Sequence, residues 1–238
     1  MERTENEVYR ILSELLLSAA FPAGERLGER DLASVLGVSR ERVRKVLQRL
    51  GAERLVTLIP NRGAFVATPS LESARSVYDA RRMLEAGLVR SLARTIMPVQ
   101  VDSLRTHLRL EQEAARAGDR ARAVQLSGAF HLQLAALAGN EFIAGYMQEL
   151  VSRTSMLVAF HEAGAPACGV HEHEDIVEAL ARRDAEGAAR LSDAHLSLIE
   201  TRLKVHPALP GPRVDVLQVL RGKCAEVDAA AAAGAVRP

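Results

Sequence analysis

Residues 28–50, GERDLASVLGVSRERVRKVLQRL, predict two short helices joined by a tight turn. The first helix, roughly Glu29 to Leu36, ends at Gly37, where a helix needs a residue that tolerates positive φ. Ser39 is a good N-cap for the second helix. A short helix, a glycine turn and a basic second helix are typical of a helix-turn-helix whose second helix enters the major groove of DNA. The second helix carries apolar residues at the spacing of a half-buried helix, namely Val43, Val46, Leu47 and Leu50.

Basic residues are concentrated in the second helix and just after it. Residues 40–62 contain seven Arg or Lys and two acids, although the net charge of the whole chain is only +1. Such a concentration of positive charge fits phosphate contact and a salt-sensitive affinity for nucleic acid. Charge alone fits a solvated helix face equally well, and the helix-turn-helix pattern favours DNA.

A β-hairpin is predicted directly after the second helix. Residues 55–59 read as a strand, residues 60–63 as a turn and residues 64–68 as the returning strand. Arg62 lies at the tip, where it would reach a phosphate backbone or the minor groove, and Gly63 lets the backbone approach closely. The hairpin therefore reads as the wing of a winged helix-turn-helix.

Residues 23–66 closely resemble the winged helix-turn-helix of the GntR family of bacterial transcription regulators. The resemblance rests on the PAGERL entry at 22–27, the LGVSR turn at 36–40, the VRKVLQRL helix at 43–50 and the NRGAFV wing at 61–66. Such proteins often carry a small residue and a proline after the SR pair, where this chain has Glu41 and Arg42. This departure leaves open which DNA sequence is read.

The resemblance implies which residues contact DNA. Arg30, Arg40, Arg44 and Gly63 match positions that touch DNA in relatives. Ser39 fits a phosphate contact at the start of the second helix. Arg42 is assigned from geometry alone, and Arg62 from its place at the tip of the wing.

The composition indicates a mainly helical protein of the cytoplasm. Of 238 residues, 48% are hydrophobic and 3% are aromatic, and Leu, Ala, Arg and Glu are abundant. Cys168 and Cys224 are isolated, which suits a reducing compartment. The N-terminus lacks the basic start and apolar run of a signal peptide, and no apolar stretch approaches membrane-spanning length.

A short linker, Thr68-Pro69-Ser70, separates two predicted domains. Residues 1–68 form the winged helix-turn-helix, and residues 69–206 form an all-helical domain. Its helices are expected at 71–96, 98–117, 119–138, 140–163, 170–182 and 184–206, with a loop at 164–169. Residues 207–238 are expected to be a partly disordered extension with one short helix near 214–227.

The helical domain resembles the FCD effector-binding domain of the FadR subfamily. The matching segments are RRMLE at 81–85, FHLQL at 130–134 followed by Gly139-Asn140, EHEDIVEAL at 172–180 followed by Arg183-Asp184, and His195-Leu196. The two resemblances together cover nearly everything from residue 8 to residue 204.

Three of the seven histidines are predicted to point into the helical core. His173 lies ten residues before Arg183 and His195 eleven residues after Asp184, so an antiparallel helix pair would place them at one height. His131 lies within an apolar stripe. Three converging imidazoles suit a zinc-like or nickel-like ion, although spacing alone favours structural histidines. His107, His161 and His206 read as surface or hydrogen-bonded residues.

The FCD resemblance strengthens the metal interpretation, because many such domains hold a metal with three His and an acid. The acid normally lies four residues before the first His, where this chain has Ser127. A site without that carboxylate would bind metal more weakly, use an effector carboxylate to complete its shell, or stay empty. Ser127 is therefore assigned to the effector side of the site.

Arg81 is the predicted effector ligand. It pairs with Glu85 at i, i+4, which on a surface is a weak helix salt bridge. In a pocket, the Arg81 fork would bind a carboxylate with two hydrogen bonds. The resemblance suggests small organic acids as effectors, and Arg81 rather than Arg82 matches its R-x-x-L-E pattern.

These features predict a homodimeric regulator that reads a palindromic operator and responds to a small organic acid. We expect it to be a repressor. The competing classes are a metal-dependent hydrolase, in which metal-bound water is the nucleophile, and an architectural DNA-binding protein without an effector. The sequence shows no distinctive general base near the histidines, which argues against a hydrolase. Glu172 and Glu174 adjoin His173 but point to other helix faces.

Overall fold

The computed structural model describes residues 2–162, 170–203 and 214–234. These residues form two compact units. The first unit combines residues 1–68 with the C-terminal residues 207–238, and the second comprises residues 69–206. Each unit has its own hydrophobic core.

The first unit begins with three helices: α1 (Glu5–Leu17), α2 (Glu29–Leu36) and α3 (Arg40–Ala52). The caps explain their limits. Thr4 and Glu7 form a capping box at the start of α1, Gly37 ends α2 in the left-handed region at φ 67°, and the Ser39 hydroxyl accepts a hydrogen bond from the Arg42 backbone N–H. The predicted helix-turn-helix is confirmed, and the apolar face predicted for α3 is buried.

The wing is a three-stranded antiparallel sheet rather than a hairpin alone. Strand β1 (Arg26–Leu27) pairs with β3 (Gly63–Val66), which also pairs with β2 (Val56–Ile59). Asn61 and Gly63 take positive φ in the turn. The sequence did not predict β1, because two residues are too few to show an alternating pattern.

Helix α10 (Val216–Gly234) belongs to the first unit. It is longer than the short helix predicted near residues 214–227, and it packs against α1 and α2. Its buried residues, Val216, Leu220 and Cys224, recur every four positions and form one face. The C-terminal extension is therefore partly a component of the N-terminal unit.

The second unit consists, in the part of the chain that the structure describes, of six helices whose limits follow the predicted breaks. Pro98 occupies the first turn of its helix, and Asp119, Asn140 and Asp184 cap the helices that follow them. The last helix ends four residues before the predicted residue 206, because Leu203 becomes extended and pairs with Glu162. The helices are α4 (Leu71–Thr95), α5 (Pro98–Arg116), α6 (Arg120–Leu137), α7 (Glu141–His161), α8 (Val170–Ala181) and α9 (Ala185–Arg202).

Helix α4 lies at the centre of the second unit and packs against α6, α7, α8 and α9. Its buried face combines apolar residues such as Leu88 and Leu92 with the polar pair Arg81 and Glu85. This arrangement places polar chemistry inside an otherwise apolar core, which is where the candidate effector site is found.

Some predicted features lie outside the described residues: the loop at 164–169 with Cys168, His206, the prolines at 207–212 and the last four residues. In the described part of the chain, no helix combines the length and the apolar character needed to cross a bilayer.

Candidate functional site

The exposed face of α3 carries two arginines held by one acid of α2. Arg44 donates from Nε and Nη2 to the Glu29 carboxylate at 3.0 and 2.8 Å, and Arg40 Nη2 lies 3.9 Å from the same carboxylate. Both arginine side chains are more than half exposed. Because Arg40 and Arg44 are one helical turn apart, they present two cationic groups on one side of α3.

Arg42 has a different environment. It lies two positions, or about 200°, around α3 from Arg40 and Arg44. Its Nη1 atom donates to the Arg3 carbonyl at 2.7 Å and to the Glu2 carboxylate at 2.8 Å. The structure thus places Arg42 on the N-terminal arm, apart from the other two arginines.

The remaining predicted DNA contacts are exposed. Arg30 lies in the first turn of α2, and Ser39 lies at the start of α3. Arg62 lies at the wing tip with its guanidinium 5.9 Å from the centre of the Phe65 ring, and Gly63 has φ 100°. A helix-turn-helix contacts bases with the N-terminal residues of its second helix, and the wing tip is a further exposed basic element of the same unit.

Inside the second unit, His131 of α6, His173 of α8 and His195 of α9 form a buried cluster. Each is at most 2% exposed, and one nitrogen from each ring lies within 4.8 Å of those of the other two. The Nε2 atoms of His173 and His195 are 3.0 Å apart. The three histidines predicted from the sequence are therefore brought together.

Two buried carboxylates orient the rings from outside the cluster. His131 Nδ1 donates to Glu85 at 2.8 Å, and His173 Nδ1 donates to Glu111 at 2.8 Å. With its proton on Nδ1, each ring turns the lone pair of Nε2 towards the cluster centre. Carboxylate–histidine pairs of this kind fix the tautomer of metal-binding histidines.

The surroundings favour neutral His131 and His195 rings and an ionised Glu85. Burial, together with the nearby Arg81 charge, lowers the pKa of His131 to about 4, and burial lowers the pKa of His195 as well. Burial alone would raise the pKa of Glu85, but the Arg81 charge and the His131 hydrogen bond lower it to about 2. Neutral imidazole is the form that binds a metal ion.

The donor set fits a divalent ion of the zinc or nickel class. Two imidazole nitrogens bound to one tetrahedral zinc at about 2.0–2.1 Å are roughly 3.3 Å apart, close to the observed separation of His173 and His195. Among the described residues, His131 Nε2 and His195 Nδ1 are buried without a hydrogen-bond partner. An ion bound by the three Nε2 atoms would use the His131 lone pair, whereas a hydrogen bond between His173 and His195 leaves it unused.

Ser127 lies one helical turn before His131 on α6 and is half-buried. A hydroxyl therefore lies where an acid would complete the ligand shell of a bound metal ion. Glu172, on the helix of His173, has a carboxylate oxygen 4.0 Å from His195 Nδ1. That nitrogen faces away from His173, so Glu172 does not take the place of the missing acid.

Arg81 borders the cluster and is buried rather than exposed. Its Nε donates to Glu85 at 2.5 Å and its Nη1 to the Thr154 hydroxyl at 2.8 Å. Its Nη2 has no partner within the described residues, and neither does the fully buried hydroxyl of Tyr78, three positions earlier on α4. Since two of its nitrogens are engaged, Arg81 offers a ligand one free nitrogen rather than the whole predicted fork.

Comparison with known proteins decides the family. Residues 4–66 match the model of the bacterial regulatory proteins of the gntR family, and residues 76–198 match the FCD domain. The chain belongs to the GntR family of transcription regulators. Its second unit is an FCD domain.

Individual GntR relatives are similar along most of the chain. The transcriptional repressor RspR of Escherichia coli K12 is 24% identical over 200 residues, which are 83% of this chain and 88% of RspR. The Nta operon transcriptional regulator of Aminobacter aminovorans is 27% identical over 182 residues, which are 76% and 86% of the two chains. A solved GntR regulator from Rhodococcus sp. RHA1 superposes with a TM-score of 0.67 at 28% identity and covers 83% of this chain and 95% of its own.

The GntR and FCD matches do not include α10, since the FCD match ends at residue 198. They do include every residue assigned to DNA, metal or effector from the sequence. The DNA-facing residues lie in the GntR match, and Arg81, Ser127 and the three histidines lie in the FCD match.

Sequence reasoning missed three residues of this GntR regulator's buried site. Glu111 could have been found, because it is an acid that continues the apolar stripe of Val101, Leu104 and Leu108 on α5. Thr154 and Tyr78 could not, because a single hydroxyl within an apolar helix face carries no distinctive pattern. Of the histidines read as hydrogen-bonded or surface residues, His107 lies beside Glu111 and bonds the Leu126 carbonyl at 2.9 Å, and His161 bonds the Pro69 carbonyl.

Proposed function

We propose that this GntR regulator is a homodimeric repressor of the FadR type, which binds a palindromic operator and is controlled by a small carboxylate in the FCD domain. The observation that carries the proposal is the coexistence, in one chain, of an exposed basic reading face and a buried cluster of ligand-binding groups. The two parts lie in separate compact units, and a DNA-binding unit joined to a ligand-binding unit indicates regulation.

The DNA half of the proposal assigns a role to each exposed group. Arg40 and Arg44 would reach base edges or phosphates in the major groove, and Arg62 would contact the flanking backbone or minor groove. Glu29 holds the two α3 arginines in a defined position before DNA binds. A dimer would place two such faces on two half-sites, which implies a palindrome.

The effector half of the proposal joins the histidine cluster to Arg81. His131, His173 and His195 would hold a divalent ion through Nε2, and the ion would supply a Lewis-acidic position for an anionic ligand. Because Ser127 contributes no charge, this shell has one anion fewer than a site of three histidines and one acid. An effector carboxylate supplies that anion, and the free Nη2 of Arg81 and the Tyr78 hydroxyl are donors suited to its other polar groups.

Helix α4 provides a direct route from this site to the DNA-binding domain. It carries Tyr78, Arg81 and Glu85, and its first residue, Leu71, follows strand β3 after only four residues of chain. A ligand that shifts α4 therefore acts close to the covalent connection. A coupling free energy of about 1–3 kcal/mol is typical of such regulation.

Two measurements on the full chain test this function together. The first is binding to operator candidates taken from the DNA upstream of its own gene, with and without small mono-, di- and hydroxycarboxylates. The second is the oligomeric state in solution. We expect a dimer whose DNA affinity changes at least fivefold with one class of acid, since that is the lower end of common coupling free energies. Binding that no acid alters would favour the architectural reading, and absence of DNA binding would refute the proposal.

A metal-dependent hydrolase is the remaining alternative. Its requirement is a carboxylate or imidazole free to act as general base beside the ion. Glu85 and Glu111 are engaged by the histidines themselves, and Glu172 lies on the outer side of His195. This arrangement supports ligand binding over catalysis, and ester hydrolysis by the metal-loaded chain would reverse that preference.

A further inference from the structure

Helix α10 is attached to the DNA-binding unit by an apolar face and two polar contacts. Leu220 is fully buried, and Val216 and Cys224 are buried beside it along the same face. Lys223 pairs with Glu14 of α1. At the far end of the described part of this face, Asp228 accepts two hydrogen bonds of 2.7 Å from the Arg3 guanidinium.

Arg3 connects α10 to both helices of the helix-turn-helix. Its Nη1 donates to the Leu36 carbonyl at the end of α2, at 2.8 Å. Its own carbonyl accepts the hydrogen bond from Arg42 of α3. Arg42 is held a second time by Glu2, the neighbour of Arg3. A continuous chain of contacts thus runs from α10 through the N-terminal arm to the recognition helix.

These contacts occupy Arg42, the one arginine in the first turn and a half of α3 that is not associated with Glu29. Both bonds are made by Nη1 and direct the guanidinium towards the N-terminal arm, so Arg42 would have to break them to reach a phosphate on the side of α3 that carries Arg40 and Arg44. Arg42 would otherwise add a third cation to the part of α3 that enters the major groove.

We propose that α10 is a latch: through Asp228 it holds residues 2–3 against α3, and this arm keeps Arg42 away from DNA. Opening the latch releases Arg42 to one further phosphate contact. This inference rests on DNA binding by the winged helix-turn-helix, and it adds a control element outside both family matches.

The latch is weak enough to open. The Asp228 side chain is 67% exposed and that of Glu2 is 53% exposed. The Arg3 and Arg42 side chains are 17% and 31% exposed, so water reaches each pair from its acidic side, and such pairs are screened by salt. The apolar face of α10 supplies the firm attachment, so the arm can change its position while α10 stays in place.

Helix α10 also follows α9 in the chain, and α9 carries His195 of the FCD site. The DNA-binding unit is therefore joined to the FCD domain by two stretches of chain, one before α4 and one after α9. The second stretch gives the FCD domain a covalent connection to the latch.

The experiment compares two pairs of substitutions of equal charge in the full chain. The latch variant is Glu2→Gln with Asp228→Asn, which removes the carboxylate charges that pair with Arg42 and Arg3. The control is Glu5→Gln with Glu226→Gln, exposed acids on the same two segments that contact neither arginine. Each pair is made with Arg42 present and with Arg42→Gln, because such a double-mutant cycle isolates the coupling.

The readout is the affinity for a mixed-sequence DNA duplex at several salt concentrations. With Arg42 present, the latch variant should lose about threefold more affinity between 50 and 200 mM salt than the control, as one more phosphate contact requires. With Arg42→Gln, the two variants should have the same salt dependence. Circular dichroism and thermal unfolding establish that α10 remains folded.

Equal salt dependence of latch variant and control with Arg42 present would overturn the latch. A difference that persists with Arg42→Gln would also overturn it, because Arg42 would then not be the group released. If the native chain fails to bind the duplex at low salt, the DNA-binding function itself fails, and this outcome is distinguishable from the other two.

Discussion

The Nε2 atoms of His173 and His195 lie 3.0 Å apart in the core of the FCD domain. Two ring nitrogens at this distance must either share a proton or share an ion. If they share a proton, the buried lone pair of His131 Nε2 has no partner among the described residues. Because an unpaired buried polar atom costs about 1–3 kcal/mol, sharing an ion is the arrangement that satisfies more of the cluster.

Metal content provides the first test of that argument. We expect the chain, purified without chelators or tag-derived nickel, to hold about one zinc or nickel ion, as a single three-histidine site requires. His131→Ala should reduce the content to near zero. His171→Ala should leave it unchanged, because His171 lies on the same helix as His173 but its side chain is 93% exposed. Equal metal content in both variants would show that the ion is bound elsewhere.

The carboxylate behind His173 gives a second prediction. Glu111→Gln keeps the size of the side chain but replaces the anion that holds the His173 N–H. Loss of such a partner typically weakens metal binding by about 10–100-fold. Glu113→Gln on the exposed side of the same helix is the control. Competition with a chromophoric chelator measures both, and equal affinities would show that Glu111 does not orient His173.

The absence of an acid at Ser127 gives a third prediction. Ser127→Asp should add an anionic oxygen one turn before His131 and tighten zinc binding, since carboxylate oxygen is a normal zinc ligand. It should also weaken the binding of carboxylate effectors, because their place at the ion is taken. Ser127→Ala controls for the loss of the hydroxyl. If Ser127→Asp strengthens metal binding and leaves effector affinity unaltered, the effector does not complete the metal shell.

The sequence predicted those features that depend on neighbouring residues. Capping pairs such as Thr4 with Glu7, the glycine at residue 37 and the apolar spacing of α3 define the helix-turn-helix locally, and the structure has it at the predicted residues. The inward direction of the three histidines also follows from helix periodicity and from the height of His173 and His195 relative to their turn.

Other features depend on residues distant in the chain. The Asp228–Arg3 contact spans 225 positions, and the Arg42–Arg3 contact spans 39. No local pattern distinguishes an arginine that faces DNA from one that bonds a terminal arm. Thr154 is a similar case, because its importance comes from the Arg81 side chain that bonds its hydroxyl.

The pairing of Glu29 with the α3 arginines gives a fourth prediction. Glu29→Gln should increase the affinity for non-specific duplex DNA. In this variant Arg40 and Arg44 would not have to give up a carboxylate partner when they bind phosphate. Arg44→Ala should lower the affinity and reduce the salt slope by about 1, as loss of one phosphate contact requires. Arg75→Ala, an 86% exposed arginine of α4, should change neither. Electrophoretic or fluorescence titrations at several salt concentrations measure all three, and an unchanged slope for Arg44→Ala would remove Arg44 from the interface.

Tyr78 gives a fifth prediction, in which stability and binding change in opposite directions. Its hydroxyl is fully buried and has no partner within the described residues, so Tyr78→Phe removes an unsatisfied group. The free energy of unfolding should stay the same or rise by about 1 kcal/mol. If the hydroxyl receives an effector, the same change should reduce the stabilisation that small carboxylates give to the full chain in thermal unfolding. Arg81→Lys should reduce it as well, because Lys keeps the charge beside Glu85 but lacks the free Nη2. An undiminished response to carboxylates in both variants would place the effector away from α4.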